Sequence, residues 1–356
     1  MTHAHPGGAH PPVCPGRTGP LLVVMAGLLL VTALLAIGAG ALSIPPGRIV
    51  AILLNDPFGL GGSAGVDEVV LRSVRLPRVL IVGLCGAALG VSGAVMQGLF
   101  RNPLADPGLI GVSAGAGLAA SLIIVLGDRW VGPANLPFAL LPVGAFLGAT
   151  ATTAVISRIA TRSGRTSIAI LLLAGVAIGA LAASGTGFLV FLADDRQLRD
   201  MTFWMLGSFG GATWTKLLWV APLLLGAVLA MLRLARPLDA LALGEAEAWH
   251  MGVPVQRVKT LSILLTAISV GASVAVAGIV SFVGIVVPHL ARLIVGPRHA
   301  GVLPAAALLG ASLLLAADTL ARTLAAPAEL PLGVLLAAIG APVFLHLLLS
   351  RRRLAA

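Results

Sequence analysis

The sequence predicts an all-α membrane protein that crosses the bilayer about ten times. Of its 356 residues, 58% are hydrophobic and only 10% are charged, whereas soluble domains carry about 25% charged residues. The uncharged residues form long runs, and a helix needs roughly 20 of them to cross the hydrocarbon core. The net charge of +10 is scattered between these runs, which indicates membrane topology rather than nucleic-acid binding.

After residue 17, nine stretches of 16 residues or more lack Lys, Arg, Asp and Glu. They are 18–47, 79–100, 107–127, 130–157, 166–193, 217–232, 260–291, 299–317 and 330–350. The run 260–291 is too long for one crossing, and its glycines and Pro288 predict a break near Ser281–Gly284, which gives one full and one short span. The run 217–232 is short, but Trp214 and its neighbours extend it. The sequence therefore predicts ten spans.

The domain organisation is simple. Residues 1–19 are rich in Pro, Gly and His, and they predict a disordered cytoplasmic tail. The run Pro20–Leu42 is too long for the core of a signal peptide and predicts a retained span. We expect one transmembrane domain over 20–350 and a basic cytoplasmic tail over 351–356.

Charge sorting supports this topology. Both ends of the chain are basic, so the positive-inside rule places both termini in the cytoplasm and requires an even number of spans. With ten spans, the inner loops hold 14 of the 23 basic residues and four of the 13 acids, so the positive excess is entirely cytoplasmic. The outer loops then carry equal numbers of basic and acidic residues.

Four segments do not fit lipid-facing helices. They are the arginines at 72, 75 and 78 before the second span, the break Arg101–Gly108 after it, the inner loop Arg236–Lys259, and the outer segment Ala316–Gly333 with Arg322. Such segments are where we expect partners to bind.

The inner loop Arg236–Lys259 predicts a docking surface. Its residues are amphipathic and helix-forming, and Gly244 divides them into two short helices, Leu238–Leu243 and Glu245–Met251. Apolar residues in a cytoplasmic loop are typical of contact with a soluble partner. The alternative is a helix lying on the membrane surface, where the acids of this loop would meet anionic lipid unfavourably.

Two other classes of protein are disfavoured. The sequence has no phosphate-binding GxxxxGK[ST] motif, so it predicts no ATP hydrolysis of its own, and its seven histidines do not cluster with acids as an enzyme or metal site requires. Three of them, His3, His5 and His10, could bind a metal, but a flexible tail is the simpler interpretation. An ion-coupled secondary transporter is a remote alternative, because it would need ionisable residues at mid-membrane.

Several motifs carry a resemblance to a known family. They are RLPR (75–78), GAVMQGLFRNPLADPGLIGVSAGAG (93–117), LALGEAEAWHMGV (241–253), GIVVPHLARLIVG (284–296) and ELPLGVLLAAIGAPVF (329–344). In this order they resemble the FecCD-type permeases, which import iron complexes and cobalamin as part of ABC importers. The likeness covers nearly the whole chain after the first 20 residues.

The resemblance implies a type II ABC importer permease fold and a set of partners. The family forms homodimers in the bacterial inner membrane, surrounded by lipid, with the transport pathway between the two subunits. A cytoplasmic ABC ATPase dimer supplies the energy and holds the ATP and magnesium, so this chain would be neither an enzyme nor the carrier of a cofactor or metal. An extracytoplasmic binding protein would deliver the substrate.

The resemblance also implies roles for particular residues. The ATPase would couple through Leu238, Leu241, Leu243, Gly244, Glu245, Glu247 and Gly252. The binding protein's carboxylates would pair with Arg75, Arg78 and Arg322, since arginine binds carboxylates in a bidentate manner. Each arginine could instead be a snorkelling anchor at the membrane interface.

A cytoplasmic gate is implied at the turn between the fourth and fifth spans. We expect it to include Arg165, Thr166 and Ser167, with Met96 and Gln97 as further pathway residues.

The sequence identifies the family more clearly than it identifies the transported molecule. The stretches 191–214 and 241–253 look most like the haem importers of the family. The first predicts a short outer helix before the sixth span, with Trp204, Met205 and Phe209 as an apolar face suited to a porphyrin. The chain has no Tyr, which excludes a tyrosine ligand to haem iron. Haem is the preferred cargo, and a ferric siderophore or cobalamin is the alternative.

Overall fold

A computed structural model describes residues 18–40, 42, 44–55, 65–131, 140–326 and 328–355. Nearly all of the predicted N-terminal tail lies outside the described residues. The described part is almost entirely helical. Its helices are α1 Thr18–Gly38, α2 Pro46–Asn55, α3 Val66–Val69, α4 Leu76–Phe100, α5 Val112–Val131, α6 Leu140–Ala160, α7 Ile168–Leu192, α8 Asp195–Leu206, α9 Trp214–Leu232, α10 Ala235–Leu243, α11 Glu245–His250, α12 Val255–Ala277, α13 Val283–Val295, α14 His299–Leu324 and α15 Leu332–Ala355.

Ten of these helices coincide, in order, with the ten predicted spans. Within the described residues, seven helical segments are long and apolar enough to cross a membrane: α1, the continuous helix Val66–Phe100, α6, α7, α9, α12 and α14. Apolar helices in α5, α13 and α15 are shorter. The predicted division of the run 260–291 is confirmed, because α12 ends at Ala277 and α13 begins at Val283.

The first outer connection differs from the prediction. The uncharged run 18–47 suggests one long span, but α1 ends at Gly38 and a second helix, α2, begins at Pro46. Glycine and the Pro45-Pro46 pair interrupt the helix here, since proline removes a backbone donor and clashes with the preceding turn. On α2, Ile49 and Ile52 pack with Leu71. The sequence prediction missed this helix.

The second span is the centre of the molecule. It begins with α3, passes through a π-helical turn, Val70–Arg75, and continues as the mostly buried α4. It ends where Arg101 adopts a left-handed conformation with φ 49°. A 3-10 turn, Pro107–Ile110, follows, capped by the Asp106 carboxylate, which accepts the Gly108 N–H at 2.6 Å. The predicted break over Arg101–Gly108 is confirmed.

Small residues allow the helices to touch. A Cβ added at Gly86 of α4 would lie 2.8 Å from the carbonyl carbon of Gly310 in α14, so neither position has room for a side chain. Gly115 similarly contacts α6, as a packing seam requires. Gly179 of α7, by contrast, has nothing within 4 Å, so the GxxxG pair at 175 and 179 packs only through its first glycine.

Polar contacts distinguish the two ends of the bundle. At the arginine end, Arg78 of α4 binds Asp318 near the end of α14, and Trp214 at the start of α9 donates its indole N–H to the Arg72 carbonyl at 2.8 Å. At the opposite end, which we call the hairpin end, Lys259 of α12 contacts Glu245 of α11. The predicted docking arginines and the predicted ATPase loop therefore lie at opposite ends of the helices.

We predict that Gly86→Leu destabilises the protein by about 1–3 kcal/mol, the usual cost of overpacking. The side chain would push α4 away from α14. Thermal unfolding in detergent, followed by the loss of the monodisperse peak in size-exclusion chromatography, measures the change. Gly179→Leu is the matched control and should unfold as the wild type does. Equal unfolding of both variants would contradict the proposed helix contact.

Candidate functional sites at the two ends of the bundle

The arginine end contains a buried ion-pair cluster. The Arg78 guanidinium contacts the Asp318 carboxylate at 2.9 Å and the Glu329 carboxylate at 2.7 Å. Arg78 and Asp318 are both buried, whereas Glu329 is partly exposed. A buried ion pair is stable only when both charges keep their partners. The cluster therefore ties α4 to α14 and to the segment before α15.

The two other predicted docking arginines cap α1. Arg75 donates to the carbonyls of Ile37 and Gly38 at 2.6 and 2.7 Å, and Arg322 donates to the Ala36 carbonyl. The last carbonyls of a helix have no partner within the helix and carry its negative dipole end. Both arginines are buried, and both stabilise the end of α1 through these bonds.

The structure thus brings Arg75, Arg78 and Arg322 together but directs their guanidinium groups inward. A carboxylate of a binding protein would have to displace internal partners to reach them, and their docking role stays a prediction. Asp318 and Glu329, the carboxylate partners of Arg78, were not among the predicted site residues. The four-residue spacing of Asp318 and Arg322 on one helix was the available signal.

The predicted two-helix docking segment is present at the hairpin end as α10 and α11. Leu238 and Leu241 are buried and anchor α10 to the bundle, so they offer no surface to a partner. Three large apolar side chains are exposed instead: Leu243 at 69%, Trp249 at 68% and Met251 at 54%. We call these three residues the apolar knob. Trp249 and Met251 were missing from the predicted set, although a tryptophan among the acids of a short helix is a recognisable signal.

Two glycines shape this segment. Gly244 between α10 and α11 has φ 141° and ψ 157°, and a side chain there would collide with the Glu247 carboxylate. Gly252 has φ 82°. Residues with a side chain rarely adopt these conformations. The predicted importance of Gly244 and Gly252 thus has a structural reason, while their coupling role stays a prediction.

Asp239 fixes α10 to the rest of the hairpin end. Its carboxylate accepts the backbone N–H of His299 at 2.9 Å and contacts the His299 ring Nδ1 at 2.6 Å. Partial burial opposes ionisation of Asp239, but the hydrogen bonds from His299 outweigh it and hold the pKa of the carboxyl below its usual value. The start of α14 is thereby joined to the docking segment.

The predicted gate turn is a β-hairpin. Strands β1 Thr161–Arg162 and β2 Arg165–Thr166 pair antiparallel, and both Ser163 and Gly164 between them have positive φ, as a type I′ turn requires. Arg165 is exposed and Thr166 is buried. The Ser167 hydroxyl caps α7 by accepting the Ile170 N–H at 3.4 Å.

The other predicted pathway residues lie elsewhere. Met96 and Gln97 are buried in α4. The Gln97 amide donates to the Ile285 carbonyl at 3.3 Å and accepts a hydrogen bond from Arg292, both in α13. These bonds join α4 to α13 and not to the hairpin, so the predicted gate turn and the further pathway residues are held by different helices. Their role in the pathway stays a prediction.

The predicted apolar face of the outer helix is partly wrong. The helix exists as α8, and a capping box between Asp194 and Gln197 begins it. Phe209, however, lies beyond its end and is buried in the main core, so it cannot contact a cargo molecule. Met205 and Phe203 are the exposed apolar residues of α8.

No cluster of three or more His, Cys, Asp or Glu suited to a metal ion occurs among the residues that the structure describes. The arginine end instead holds buried ion pairs, and the hairpin end exposes the apolar knob.

A family model of the FecCD transport family matches residues 28–350, nearly the whole chain. The chain belongs to the FecCD transport family. This FecCD protein is 44% identical over 348 residues to the hemin transport system permease protein HmuU of Yersinia pestis, a match that covers 95% of this chain and 98% of HmuU.

Further relatives agree on the family. The FecCD protein is 41% identical to the vitamin B12 import system permease protein BtuC of Klebsiella pneumoniae, over 91% of this chain and 92% of BtuC. Its fold matches that of a solved metal-chelate type ABC transporter in an inward-facing conformation, with a TM-score of 0.81 and 32% identity. That match covers 93% of this chain and 99% of the other. The chain is a multi-span transport permease.

We predict that Glu329 stabilises the fold at neutral pH and not in acid. The hydrogen bond from Arg78 holds the pKa of Glu329 below its usual value of about 4.3, although burial opposes this. A depressed pKa contributes stability above the unfolded-state pKa, and this stability is lost as the pH falls through the folded-state value. Glu329→Gln should therefore unfold at a lower temperature than the wild type at pH 7.

The difference between the two melting temperatures should shrink as the pH falls below about 4.3. Asp200→Asn is the control, because the pair of Asp200 with Arg196 is exposed and spans 3.7 Å, and exposed pairs contribute little. A pH-independent difference for Glu329→Gln would show that the ion pair is not its cause.

Proposed function

We propose that this FecCD permease is the membrane-spanning subunit of a haem importer. The observation that carries the proposal is the 44% identity to a hemin permease along almost the full length of both chains. A match that covers 95% of this chain and 98% of the hemin permease supports a common transport task. The exposed residues of α8 add an apolar surface near the arginine end, but they do not discriminate haem from other large chelates.

The energy would come from a separate ABC ATPase dimer, which would hold the ATP and the magnesium. The apolar knob supports this proposal, since exposed large apolar side chains on a polar segment are typical of a protein interface. The knob lies on α10, on α11 and on Met251 directly after α11, and the glycine at 244 holds the two helices in a fixed bend. This permease would then need neither a cofactor nor catalytic residues of its own.

The remaining partners are proposed from the family. A second copy of the permease would complete the transport pathway, and the exposed apolar residues of α7 offer a surface for that copy or for lipid. An extracytoplasmic binding protein would dock at the arginine end, where Arg75 and Arg322 would exchange backbone carbonyls for its carboxylates. The sorting of basic residues supports a bacterial cytoplasmic membrane location with both termini inside.

Cobalamin is the second candidate cargo, because the 41% identical relatives include vitamin B12 permeases. A ferric siderophore is the third. These cargoes differ in size and charge, so one assay can separate them.

We predict that proteoliposomes containing the permease, its ATPase and its binding protein accumulate haem when ATP is supplied. Uptake of haem, cyanocobalamin and a ferric catecholate siderophore is measured in parallel, with a non-hydrolysable ATP analogue as the control. Accumulation of haem alone supports the proposal. Accumulation of cyanocobalamin or the siderophore without haem would assign the permease to the other cargo.

We also predict that Trp249→Ala weakens ATPase binding about tenfold or more, because a buried interface tryptophan commonly contributes over 1.4 kcal/mol. The ATPase retained by the tagged permease during purification measures the effect. Trp219→Ala is the matched control, since Trp219 of α9 is 76% exposed but lies within a predicted span. Equal retention by both variants would contradict the docking role of the apolar knob.

A further inference from the structure

Lys259 is buried at the hairpin end, in the second turn of α12. Its side chain is only 3% exposed, yet its ammonium group donates to the Glu245 carboxylate at 2.7 Å and to the Thr166 carbonyl at 2.8 Å. Glu245 begins α11 of the docking segment, and Thr166 ends the hairpin. One side chain therefore joins two segments that are about 80 residues apart in the sequence.

The hairpin is fastened to α12 at both backbone groups of Thr166. Its N–H donates to the Gln256 side chain at 2.9 Å, while its carbonyl accepts from Lys259. Gln256 and Lys259 are three residues apart on a helix, so their side chains extend from the same face. The cross-strand contact between the Thr161 and Thr166 hydroxyls, at 2.9 Å, passes this restraint to the other strand.

The burial of Lys259 explains why a movement of α11 would be passed on to the hairpin. An ammonium group removed from water is costly unless charged or polar partners replace the water, so Lys259 must keep its bonds to Glu245 and Thr166. Glu245 is 45% exposed and can move with a partner on the surface. A displacement of α11 would therefore move the Lys259 ammonium, and the ammonium would move the buried Thr166 peptide.

The hairpin leads directly into α7. Ser167 follows Thr166 and caps the first turn of that helix, so a shift of Thr166 also shifts the start of α7. The chain Glu245, Lys259, Thr166 connects the docking segment to a membrane helix through three polar contacts.

We propose that Lys259 is a positioning residue that transmits movement of the ATPase-docking segment to the hairpin and to α7. The proposal rests on the proposed function, in which α10 and α11 bind the ATPase. Because its side chain is buried, Lys259 would contact neither the ATPase nor the cargo. Its loss should uncouple transport from ATP hydrolysis without releasing the ATPase.

The first experiment compares Lys259→Met with Arg257→Met in the complete complex in proteoliposomes. Both variants lose one positive charge from α12, but Arg257 is exposed. We expect Lys259→Met to retain the ATPase during purification, to hydrolyse ATP, and to transport about tenfold less haem per ATP hydrolysed. Arg257→Met should retain the wild-type ratio. A wild-type ratio for Lys259→Met, or an equal loss in both variants, would overturn the proposal.

The second experiment measures the link directly. Spin labels are attached to Arg162→Cys in the hairpin and Ala246→Cys in α11, in a Cys14→Ser background; Cys85 is buried. We expect one narrow distance distribution with and without a non-hydrolysable ATP analogue when Lys259 is present, and a broad or nucleotide-dependent one in Lys259→Met. Identical distance distributions in the two proteins would overturn the proposal.

Failures of the two proposals can be told apart. If the wild-type permease does not retain the ATPase, the proposed function fails, whereas retention with normal coupling in Lys259→Met rejects the link alone. If Lys259→Met is not monodisperse, Glu245→Ala removes the same link from the half-exposed side. The spin-label distances in Glu245→Ala then test the proposal, because they measure the contact between α11 and the hairpin even if ATPase docking is altered. A distribution identical to that of the wild type would overturn it.

Discussion

The contact between α4 and α14 is the constraint on which both ends of the molecule depend. Gly86 and Gly310 bring the two backbones together in mid-helix, where lipid offers no hydrophobic drive for association and close packing must supply it. The same approach lets Arg78 reach Asp318 at one end. At the other end, Gly98 leaves room for the His299 ring, whose Asp239 partner holds α10. A single helix pair thus positions the arginine cluster and the docking segment.

Most of the fold could be predicted from the sequence, because a membrane helix has to be both long and uncharged. The seven long spans follow from that rule, whereas the three shorter apolar helices, the break at Arg101–Gly108 and the division before α13 follow from the Gly, Pro and charged residues that interrupt the uncharged runs. Helix α2 could not be predicted in the same way, since it is a short amphipathic helix hidden in an uncharged run. The π-helical turn before α4 has no sequence signal, because it depends on how α4 fits its neighbours.

The sites were predictable as segments but less so as individual side chains. In a chain this apolar, hydrophobic periodicity does not distinguish a core face from an exposed one, so Leu238 and Leu243 looked equivalent although only Leu243 is exposed. The arginines were predicted to face a partner, yet their internal carbonyl and carboxylate partners come from helices far away in the sequence. Lys259 was counted only as a loop charge, because its burial depends on the hairpin folding over α12.

The capping of α1 by Arg75 and Arg322 has a consequence for how the protein is made. Helix α1 and Arg75 leave the ribosome long before α14, so the Ala36 carbonyl acquires the Arg322 guanidinium only after most of the described chain has been synthesised. Until then the Ala36 carbonyl must rely on water or lipid headgroups at the bilayer boundary. Late arrival of α14 therefore completes the capping of α1, and this step binds an early helix to the final third of the sequence.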